Sequence, residues 1–486
     1  MFSALPLTHL VFLGTLALCL LLFLCWPACR RPGAPRAFLA PALLALVLLA
    51  LLVHQACWQL SGCGSLGFQK FQRRYDGRPA TLARTADKRG RLIDRHGRLL
   101  ARALPGKRWG HEAPLGPAGL CVVGYHSRTY GLSGLTRVFD ARLCGLPPTG
   151  EARTLLRRAE PEDIALTLDS RLQRLAYEAL AGRPGAVVAL DPRTGEILAL
   201  ASSPAADEAA LSSAVRDRVR APLLNRALHG LYPPGSVFKL FTAALALECG
   251  KAGSYACPSA GWAPAAFTKP IRDTHPRPAD DPMLGRRTAF AESSNIWFAK
   301  AATACSWRAF QRVAERTRLV EPLTLAACGE RTFASLPGQL PDLSASPNRV
   351  AYLGFGQGGL LLTPMHVAAL TAAVANGGLL AQPHLELGAE TQVRRLWSAP
   401  IAAEVAQLMR ASVLEGTSRA VAIPGLSICG KTGTAETSGR DHAWFTCFAP
   451  ADKPRLVITV LVEHGGYGAA AALPIARKLL QEAFAR

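Results

Sequence analysis

Apolar and polar positions divide the chain into a strongly apolar N-terminal part and a mixed remainder. Two apolar blocks, Leu5–Trp26 and Ala37–Trp58, each run for about 22 residues without Asp, Glu, Lys or Arg. A helix of that length crosses about 30 Å of hydrocarbon, so both blocks predict transmembrane helices in an anchor over residues 1–58. The connector between them carries Arg30, Arg31 and Arg36, whereas the first nine residues carry no charged side chain. This asymmetry predicts a cytoplasmic connector and an extracytoplasmic remainder.

The charges after the second block give the opposite topological indication. Nine basic side chains follow it: Lys70, Arg73, Arg74, Arg78, Arg84, Lys88, Arg89, Arg91 and Arg95. On charge alone this run favours the cytoplasmic face. A cleaved signal peptide fits the pattern less well, because the chain has no basic n-region and no small-residue cleavage site between the blocks.

Beyond the anchor, three further regions are predicted. Residues 59–150 are rich in Gly and Arg and contain short β-like runs, at Arg91–Asp94 and Leu120–Gly124, which predicts a small β-rich spacer domain. Residues 151–163 are polar and predict a linker. Residues 164–486 show no internal repeat and predict one large domain.

Hydrophobic periodicity in the large domain mixes helices with strands. Helical periodicity covers Asp169–Leu180, Phe238–Leu247, Thr363–Ala375 and Pro474–Ala485. Strand-like runs cover Ala186–Leu190, Glu196–Leu200, Ile428–Ala435, Ala443–Phe448 and Leu456–Val462. Because the first two runs flank a turn sequence, they predict a hairpin. Helical clusters between sheet segments from both ends of the domain predict an α+β fold with a mostly antiparallel sheet.

Composition narrows the class of protein. Of the 486 residues, 50% are hydrophobic and 18% are charged, which excludes disorder as the main state and is too polar for a polytopic transporter. The formal net charge is +21, but the basic residues are scattered along the chain without a zinc-finger, helix-turn-helix or RNP pattern. We therefore expect no nucleic-acid partner.

The cysteines bear on the compartment. Of the 13 cysteines, Cys19, Cys25 and Cys29 lie in or next to the first apolar block. The remaining ten are an even number, consistent with an oxidising exterior, and their connectivity stays open. The absence of any C-x-x-C spacing gives a zinc or thioredoxin-type motif little support.

The stretch from Tyr232 to Lys239 carries the first candidate chemistry. Two prolines and a glycine precede Ser236, and the helix-forming run that follows places this serine near a helix N-terminus with Lys239 one turn further on. A lysine whose pKa is lowered can take the proton of a serine hydroxyl, and N–H groups at a helix start can stabilise an oxyanion. Ser-x-x-Lys alone is expected about once by chance in a chain of this length.

Two further clusters follow in order. Ser293 and Asn295 precede an apolar helical run and bring a hydroxyl and an amide toward a cleft. Lys431, Thr432, Gly433 and Thr434 lie in a strand-like run, where a cation and two hydroxyls suit a carboxylate ligand and the glycine permits close backbone approach. Ser-x-x-Lys, Ser-x-Asn and Lys-Thr-Gly in this order form the signature of penicillin-binding proteins and serine β-lactamases.

From about Arg89 onward the sequence resembles the class B penicillin-binding proteins. Flanking stretches that match the family include Asp94-Arg95-His96-Gly97, Thr167-Leu168-Asp169, Asn225-Arg226, Gly356-Gln357-Gly358 and Asn376-Gly377-Gly378. The short spacer is similar to the compact pedestal of actinobacterial elongation-type members. The resemblance implies a transpeptidase fold of the penicillin-binding and serine β-lactamase type.

The resemblance also implies a role for each motif residue. Ser236 is expected to be the acylated nucleophile, Lys239 its base and Ser293 a proton relay. Asn295 is expected to orient Lys239 and the substrate amide. The expected ligands of the substrate carboxylate are Lys431, Thr432 and Thr434, with Gly433 allowing the approach; the N–H groups of Ser236 and Thr434 are expected to form the oxyanion hole.

The implied activity is cross-linking of peptidoglycan stem peptides, with release of D-Ala and sensitivity to β-lactams. No metal or organic cofactor is expected. The spacer is too short for a glycosyltransferase domain, so the resemblance implies a separate membrane polymerase of the shape, elongation, division and sporulation (SEDS) type. The implied location is the bacterial plasma membrane, with the catalytic domain on its extracytoplasmic side.

Some positions depart from the family pattern, and others are secondary candidates. His275-Pro276 stands where the family often has His-Gly, and Thr136 stands where a Glu is common. His442 is expected to be structural, because a lysine-based scheme needs no histidine. Glu292 and Glu436 are expected to be solvated or helix-end charges.

One disulfide is predicted on the strand that carries Lys431. A hairpin that turns near Thr437 to Gly439 makes Cys429 and Cys447 cross-strand neighbours, since both lie nine positions from Ser438. The two cysteines are then expected to form a bridge.

Two other functions remain open. A D,D-carboxypeptidase or β-lactamase uses the same motifs, although no clear acidic deacylation base is present and two spans with a spacer favour wall synthesis. A non-catalytic scaffold that activates a glycan polymerase is also compatible with the spans and spacer, although the intact motifs favour catalysis.

Overall fold

The computed structural model describes residues 89–104, 110–145, 160–265, 268–278, 280–342 and 349–485, together with positions 46, 47, 49 and 51. The first predicted span lies outside these residues. The four described positions of the second span are helical. Within the described ranges no helix combines the length and the apolarity that a membrane span requires.

Seventeen strands are described, and they are numbered in chain order. They are β1 Leu92–Ile93, β2 Leu99–Ala103, β3 His111–Glu112, β4 His126–Ser127, β5 Gly131–Leu132, β6 Ile164–Ala165, β7 Gly185–Leu190, β8 Ile197–Ser203, β9 Tyr255–Ala256, β10 Met283–Leu284, β11 Thr324–Cys328, β12 Arg331–Ala334, β13 Leu379–Ala381, β14 Val393–Arg395, β15 Cys429–Ala435, β16 His442–Ala449 and β17 Leu456–Val462.

The described α-helices are α1 Pro117–Val123, α2 Gly134–Val138, α3 Asp140–Leu143, α4 Ser170–Ala179, α5 Leu211–Ala214, α6 Arg226–His229, α7 Lys239–Glu248, α8 Arg286–Ala291, α9 Asn295–Ala304, α10 Trp307–Arg316, α11 Arg349–Leu353, α12 Pro364–Ala375, α13 Ala399–Leu414, α14 Gly468–Ala471 and α15 Leu473–Phe484. Short 3₁₀ turns cover Glu208–Ala210, Gly235–Phe238 and Arg419–Val421.

The large domain is built on a five-stranded antiparallel sheet in the order β15-β16-β17-β7-β8. The predicted α+β character and the β7–β8 hairpin are confirmed. The helical prediction around Asp169 is confirmed as well, because the Asp169 carboxylate accepts hydrogen bonds from two backbone N–H groups at the start of α4. Strand β15, which contains the Lys-Thr-Gly residues, lies at an edge of this sheet.

Side-chain alternation along the strands divides the core in two. On β17, Val457 and Leu461 pack into the cluster that includes α7, α9 and α12, whereas Ile458 and Val460 pack into the cluster that includes α4 and α15. Successive strand residues point to opposite faces, so both faces of the sheet are covered by helices. Helix α12 is buried along its whole length except its last residue, and packs against β7, β16 and β17.

The spacer contains more helix than its sequence pattern predicts. Strands β3-β2-β1-β6 form one sheet, in which β6 pairs parallel to β1. The run Leu120–Gly124, predicted as β-like, lies instead in α1 and its C-terminal cap. A short apolar run does not distinguish a strand from a buried helix; here Pro117 starts the helix and Gly124, at φ 89°, ends it.

The predicted Cys429–Cys447 disulfide is wrong. In the β15–β16 pair Cys429 lies opposite Phe448, and Cys447 lies opposite Gly430. Because a shift of one residue moves a side chain to the other face of the sheet, Cys429 packs into the α7 side of the core and Cys447 into the α15 side. Both are free thiols.

Candidate active site

Ser236 lies in the 3₁₀ turn directly before α7, at the point where this turn meets strand β15. Gly235, at φ 54°, sits against the strand, and a Cβ atom there would lie 2.5 Å from the carbonyl oxygen of Thr434. The Gly235 N–H donates to the Gly356 carbonyl at 2.9 Å. Only glycine combines this backbone angle with so close an approach, so the turn is fixed against the strand with the half-buried Ser236 in the cleft.

Lys239, the first residue of α7, is fully buried and held by three oxygens. Its Nζ lies 2.7 Å from the Ser293 carbonyl oxygen, 2.8 Å from Asn295 Oδ1 and 3.1 Å from Ser293 Oγ. Burial and the neighbouring Lys431 lower the pKa of Lys239 well below its usual value, and Asp273 opposes part of that shift. This environment favours the neutral amine that a base requires.

Ser293 connects the two buried lysines. Its Oγ accepts a hydrogen bond from Lys431 Nζ at 2.9 Å and lies 3.1 Å from Lys239 Nζ. Ser293 has φ 64°, a left-handed conformation that costs a residue with a side chain about 1–3 kcal/mol. The fold therefore holds the Ser293 backbone in a strained conformation, which places the hydroxyl between two amines.

Lys431 is also fully buried, but its surroundings differ. Besides Ser293 Oγ, its Nζ donates to the Thr432 carbonyl oxygen at 3.0 Å, and it lies 5.7 Å from the centre of the Phe290 ring. Burial lowers the pKa of Lys431 to about 7. The amine thus stays within reach of its protonated form at neutral pH, as an anchor for a carboxylate requires.

Asp273 is a functional residue that the motif analysis missed. Its Oδ2 accepts the Ser294 hydroxyl at 2.6 Å and its Oδ1 accepts the Ile296 N–H at 2.9 Å. Asn295 donates from Nδ2 to the Arg272 carbonyl at 3.1 Å, which turns its Oδ1 toward Lys239. The Pro-rich loop that contains the exposed His275 therefore caps the start of α9 and orients Asn295.

Thr417 is a second residue that the motifs did not reveal. It follows α13, and its N–H donates to the Ala291 carbonyl at 3.0 Å. Its Oγ1 lies 2.7 Å from Thr432 Oγ1. The sequence signal was weak, because a threonine after a helix usually belongs to a turn.

Gly433 and Thr434, the other two motif residues of β15, lie against the 3₁₀ turn that contains Ser236. A Cβ atom at Gly433 would lie 2.9 Å from Val237 Cγ1, so only glycine fits there without displacing a neighbour. Thr434 Oγ1 accepts the Gly468 N–H at 3.4 Å, and its side chain is half-buried at the cleft. The structure thus brings together all eight motif residues: Ser236, Lys239, Ser293, Asn295, Lys431, Thr432, Gly433 and Thr434.

The secondary candidates lie outside this hydrogen-bond network. His442 accepts the His464 N–H on Nδ1 at 3.0 Å and packs edge-on against Tyr232, and burial lowers its pKa. Glu436 is exposed, and Glu292 caps the end of α8. Among the described residues, no group of three or more His, Cys, Asp or Glu side chains has a geometry that could hold a metal ion.

Comparison with known proteins identifies relatives of this arrangement. The family model for the penicillin binding protein transpeptidase domain matches residues 185–481. The peptidoglycan D,D-transpeptidase PbpA of Mycobacterium tuberculosis is 31% identical over 408 residues, covering 74% of this chain and 82% of that protein. MrdA of Acinetobacter baumannii, also named a peptidoglycan D,D-transpeptidase, is 30% identical over 378 residues, covering 65% of this chain and 54% of that protein.

Solved structures of penicillin-binding proteins are also similar to this chain. The ceftriaxone acyl-enzyme complex of penicillin-binding protein A from M. tuberculosis superposes with a TM-score of 0.72 at 28% identity, covering 82% of this chain and 99% of that chain. PBP2 of Pseudomonas aeruginosa, in complex with WCK 5153, gives a TM-score of 0.71 at 26% identity over 83% of this chain and 97% of that chain. The chain belongs to the class B penicillin-binding proteins and carries their transpeptidase domain.

Proposed function

We propose that the protein is a peptidoglycan D,D-transpeptidase that works through a serine acyl-enzyme and is a target of β-lactams. The name of the M. tuberculosis relative and its acyl-enzyme complex with ceftriaxone support the reaction class. The observation that carries the proposal is Ser293 Oγ between two fully buried lysines, with Ser236 one helical turn from Lys239. That arrangement supplies a nucleophile, a base and a carboxylate anchor in one cleft.

In the proposed acylation, Ser236 Oγ attacks the carbonyl carbon of the D-Ala-D-Ala amide of a stem peptide. Neutral Lys239 takes the hydroxyl proton as the O–C bond forms. The N–H groups of Ser236 and Thr434 receive the negative charge that develops on the carbonyl oxygen. The C–N bond then breaks, Ser293 passes its proton to the leaving nitrogen and takes one from Lys239, which returns to the neutral amine, and the terminal D-Ala departs.

In the proposed transfer, an amine of a neighbouring stem peptide attacks the acyl-enzyme carbonyl. The amine loses a proton to Lys239, the ester bond to Ser236 breaks, and the serine hydroxyl regains its proton. An amide replaces the amide lost in the first step, so atoms and protons balance without an outside energy source.

The strand side of the cleft positions the donor peptide. Protonated Lys431 and the hydroxyls of Thr432 and Thr434 bind the terminal carboxylate of the substrate, and a carboxylate stabilises the cationic form of the lysine. Because β15 is an edge strand, its free backbone groups can pair with an extended stem peptide. Gly433 allows that peptide to approach closely.

The wider organisation is part of the same proposal. The sequence pattern supports an anchor over residues 1–58, a spacer over 59–150, a linker over 151–163 and the transpeptidase domain over 164–486. Two spans place that domain on the extracytoplasmic side of the bacterial plasma membrane, where its substrate is assembled. A SEDS-type membrane glycosyltransferase is the partner that supplies glycan strands.

Covalent labelling with a fluorescent penicillin tests the reaction. We expect one stable adduct on the purified wild-type protein, seen by intact mass, and no adduct on Ser236→Ala. Ser398→Ala is the matched control, because Ser398 also precedes a helix but is exposed and makes no capping hydrogen bond. An adduct that persists on Ser236→Ala contradicts the proposed nucleophile, and rapid turnover of the drug without an adduct indicates a hydrolase.

A further inference from the structure

Two cysteines meet at the far ends of the helices that begin in the active site. Helix α7 starts at Lys239 and is followed by Cys249, and α9 starts at Asn295 and is followed by Cys305. The two helices pack against each other, and both belong to the same side of the core. Each is ten residues long, so their ends lie about 15 Å from the catalytic residues along the helix axes.

The two cysteines meet at one backbone carbonyl. The Cys249 N–H and the Cys305 thiol both point to the carbonyl oxygen of Leu245, at 2.9 Å and 4.0 Å. Both thiols are free, and burial together with the neighbouring Cys249 thiol raises the pKa of the Cys305 thiol. Cys305 is buried and Cys249 is half-buried, so Cys249 is the more accessible of the two to a reagent.

The other described cysteines have different surroundings. Cys429 and Cys447 lie on opposite faces of the central sheet. The thiol of Cys257 lies 3.8 Å from the Ser294 hydroxyl, and that of Cys121 lies 3.9 Å from the Leu224 carbonyl oxygen. The pair at the helix ends is therefore distinguished by its shared contact with the Leu245 carbonyl and by its place in the fold.

We propose that Cys249 and Cys305 form a disulfide that ties together the C-terminal ends of α7 and α9. This inference goes beyond the proposed function, because it concerns a covalent link remote from the reacting atoms. An exposed disulfide of a small molecule or a protein is the oxidant. The thiolate of Cys249 attacks it and releases one thiolate; Cys305, after losing its proton, attacks the resulting mixed disulfide and releases the second.

In sum, two thiols lose two electrons and two protons, and the disulfide of the oxidant becomes two thiols. The oxidant reacts first at Cys249 and the bond closes at Cys305, because Cys249 is half-buried and Cys305 is buried. Burial and the Cys249 thiol raise the pKa of the Cys305 thiol, and Lys251 opposes part of that shift.

The disulfide closes a loop that contains the Pro-rich segment with Asp273. Cross-linking a loop of that length restricts the unfolded chain and stabilises the fold. Because the bond lies at the far ends of the helices, it holds Lys239 and Asn295 in register without touching either. We therefore expect a higher unfolding temperature in the oxidised form, and little change in the rate of acylation under conditions where both forms are folded.

The test uses the full-length protein in detergent, incubated with oxidised glutathione and then blocked with N-ethylmaleimide under denaturing conditions. Trypsin releases Cys249 in peptide 240–251 and Cys305 in peptide 301–308. We expect mass spectrometry to find these two peptides linked, and dithiothreitol to separate them. Recovery of both as maleimide adducts, or as separate glutathione adducts, overturns the proposal.

Thermal unfolding provides a second measurement on the same samples. We expect the oxidised wild type to unfold about 3–8 °C above the reduced form, and the Cys249→Ser/Cys305→Ser variant to lose that difference. Cys328→Ser is the control that retains it. Equal unfolding temperatures for oxidised and reduced wild type contradict a stabilising bond. Penicillin labelling in parallel reports on Ser236 alone, so failure of the disulfide and failure of the proposed function remain distinguishable.

Discussion

Lys239 and Lys431 are the same kind of side chain, both fully buried and both within 3.1 Å of Ser293 Oγ, yet they receive different roles from their surroundings. Lys239 starts a helix and meets a carbonyl oxygen, an amide oxygen and the shared hydroxyl. Lys431 lies in an edge strand and meets one carbonyl oxygen besides that hydroxyl. The difference shows how one residue type can supply both a base and an anchor.

The number of hydrogen bonds that each protonation state can make explains why Lys239 serves as the neutral base and Lys431 as the protonated anchor. A neutral amine has two N–H groups and one lone pair, and an ammonium has three N–H groups and none. Neutral Lys239 can donate to the carbonyl oxygen of Ser293 and to Asn295 Oδ1, and accept the Ser293 hydroxyl proton. Ammonium Lys431 can donate to Ser293 Oγ and to the Thr432 carbonyl oxygen, with its third N–H left for a carboxylate. All the contacts around both amines are satisfied in this state, and Ser293 Oγ lies where it can relay a proton from Lys239 toward the leaving nitrogen.

Replacing the base gives the largest expected effect. Lys239→Met keeps much of the side-chain volume but removes the amine, so we expect the acylation rate constant for penicillin to fall by about 10²–10⁴-fold. Rapid-quench labelling measures it. Lys453→Met, at an exposed position, is the control and should stay close to wild type. A Lys239→Met variant that acylates at the wild-type rate would show that another group takes the Ser236 proton.

Asp273→Asn tests how the helix side of the cleft is held in place. The variant loses one acceptor of the capping interaction, and we expect about 1–2 kcal/mol lower stability and a fewfold slower acylation. The Asp273 carboxylate raises the pKa of Lys239, so its removal should lower that pKa and move the rise of acylation to lower pH. The pH dependence separates this electrostatic effect from simple loosening, which would leave the position of the rise unchanged.

Thr417→Val gives the smallest expected effect, on the strand side. Removing the hydroxyl that contacts Thr432 should weaken substrate binding about 2–10-fold with little change in the maximal acylation rate, because a single neutral hydrogen bond contributes about 0.5–1.5 kcal/mol. Steady-state kinetics with a D-Ala-D-Ala peptide separate KM from kcat. Thr417→Ser keeps the hydroxyl and should behave like wild type; equal losses in both variants would point to packing of the methyl group.

Much of the fold and the motif residues were predictable from the sequence, because the pattern that specifies them is local. The β7–β8 hairpin follows from two apolar runs around a turn, and α4 from its periodicity and the Asp169 cap. The Ser236, Ser293 and Lys431 clusters were identifiable because their residue types and order form a known signature.

What the sequence could not provide depends on register and on long-range contacts. The Cys429–Cys447 prediction failed because the hairpin is centred between Ser438 and Gly439 and not on Ser438. This shift of half a residue puts the two side chains on opposite faces of the sheet. Asp273 carries no motif, and its role depends on a loop folding back onto the start of α9. Thr417 reaches Thr432 only because α13 packs beside β15.

The pH dependence of acylation tests the division between the two lysines most directly. The second-order rate constant for penicillin would be measured from about pH 5 to about pH 10 on wild type and on Lys431→Arg. We expect the wild-type rate to rise with pH as Lys239 loses its proton, well below the usual lysine range, and to fall above about pH 7 as Lys431 loses the charge that holds the carboxylate. In Lys431→Arg the alkaline fall should disappear, because guanidinium stays protonated. A wild-type rate that keeps rising to pH 10 would contradict the account, since both amines would then titrate as ordinary lysines.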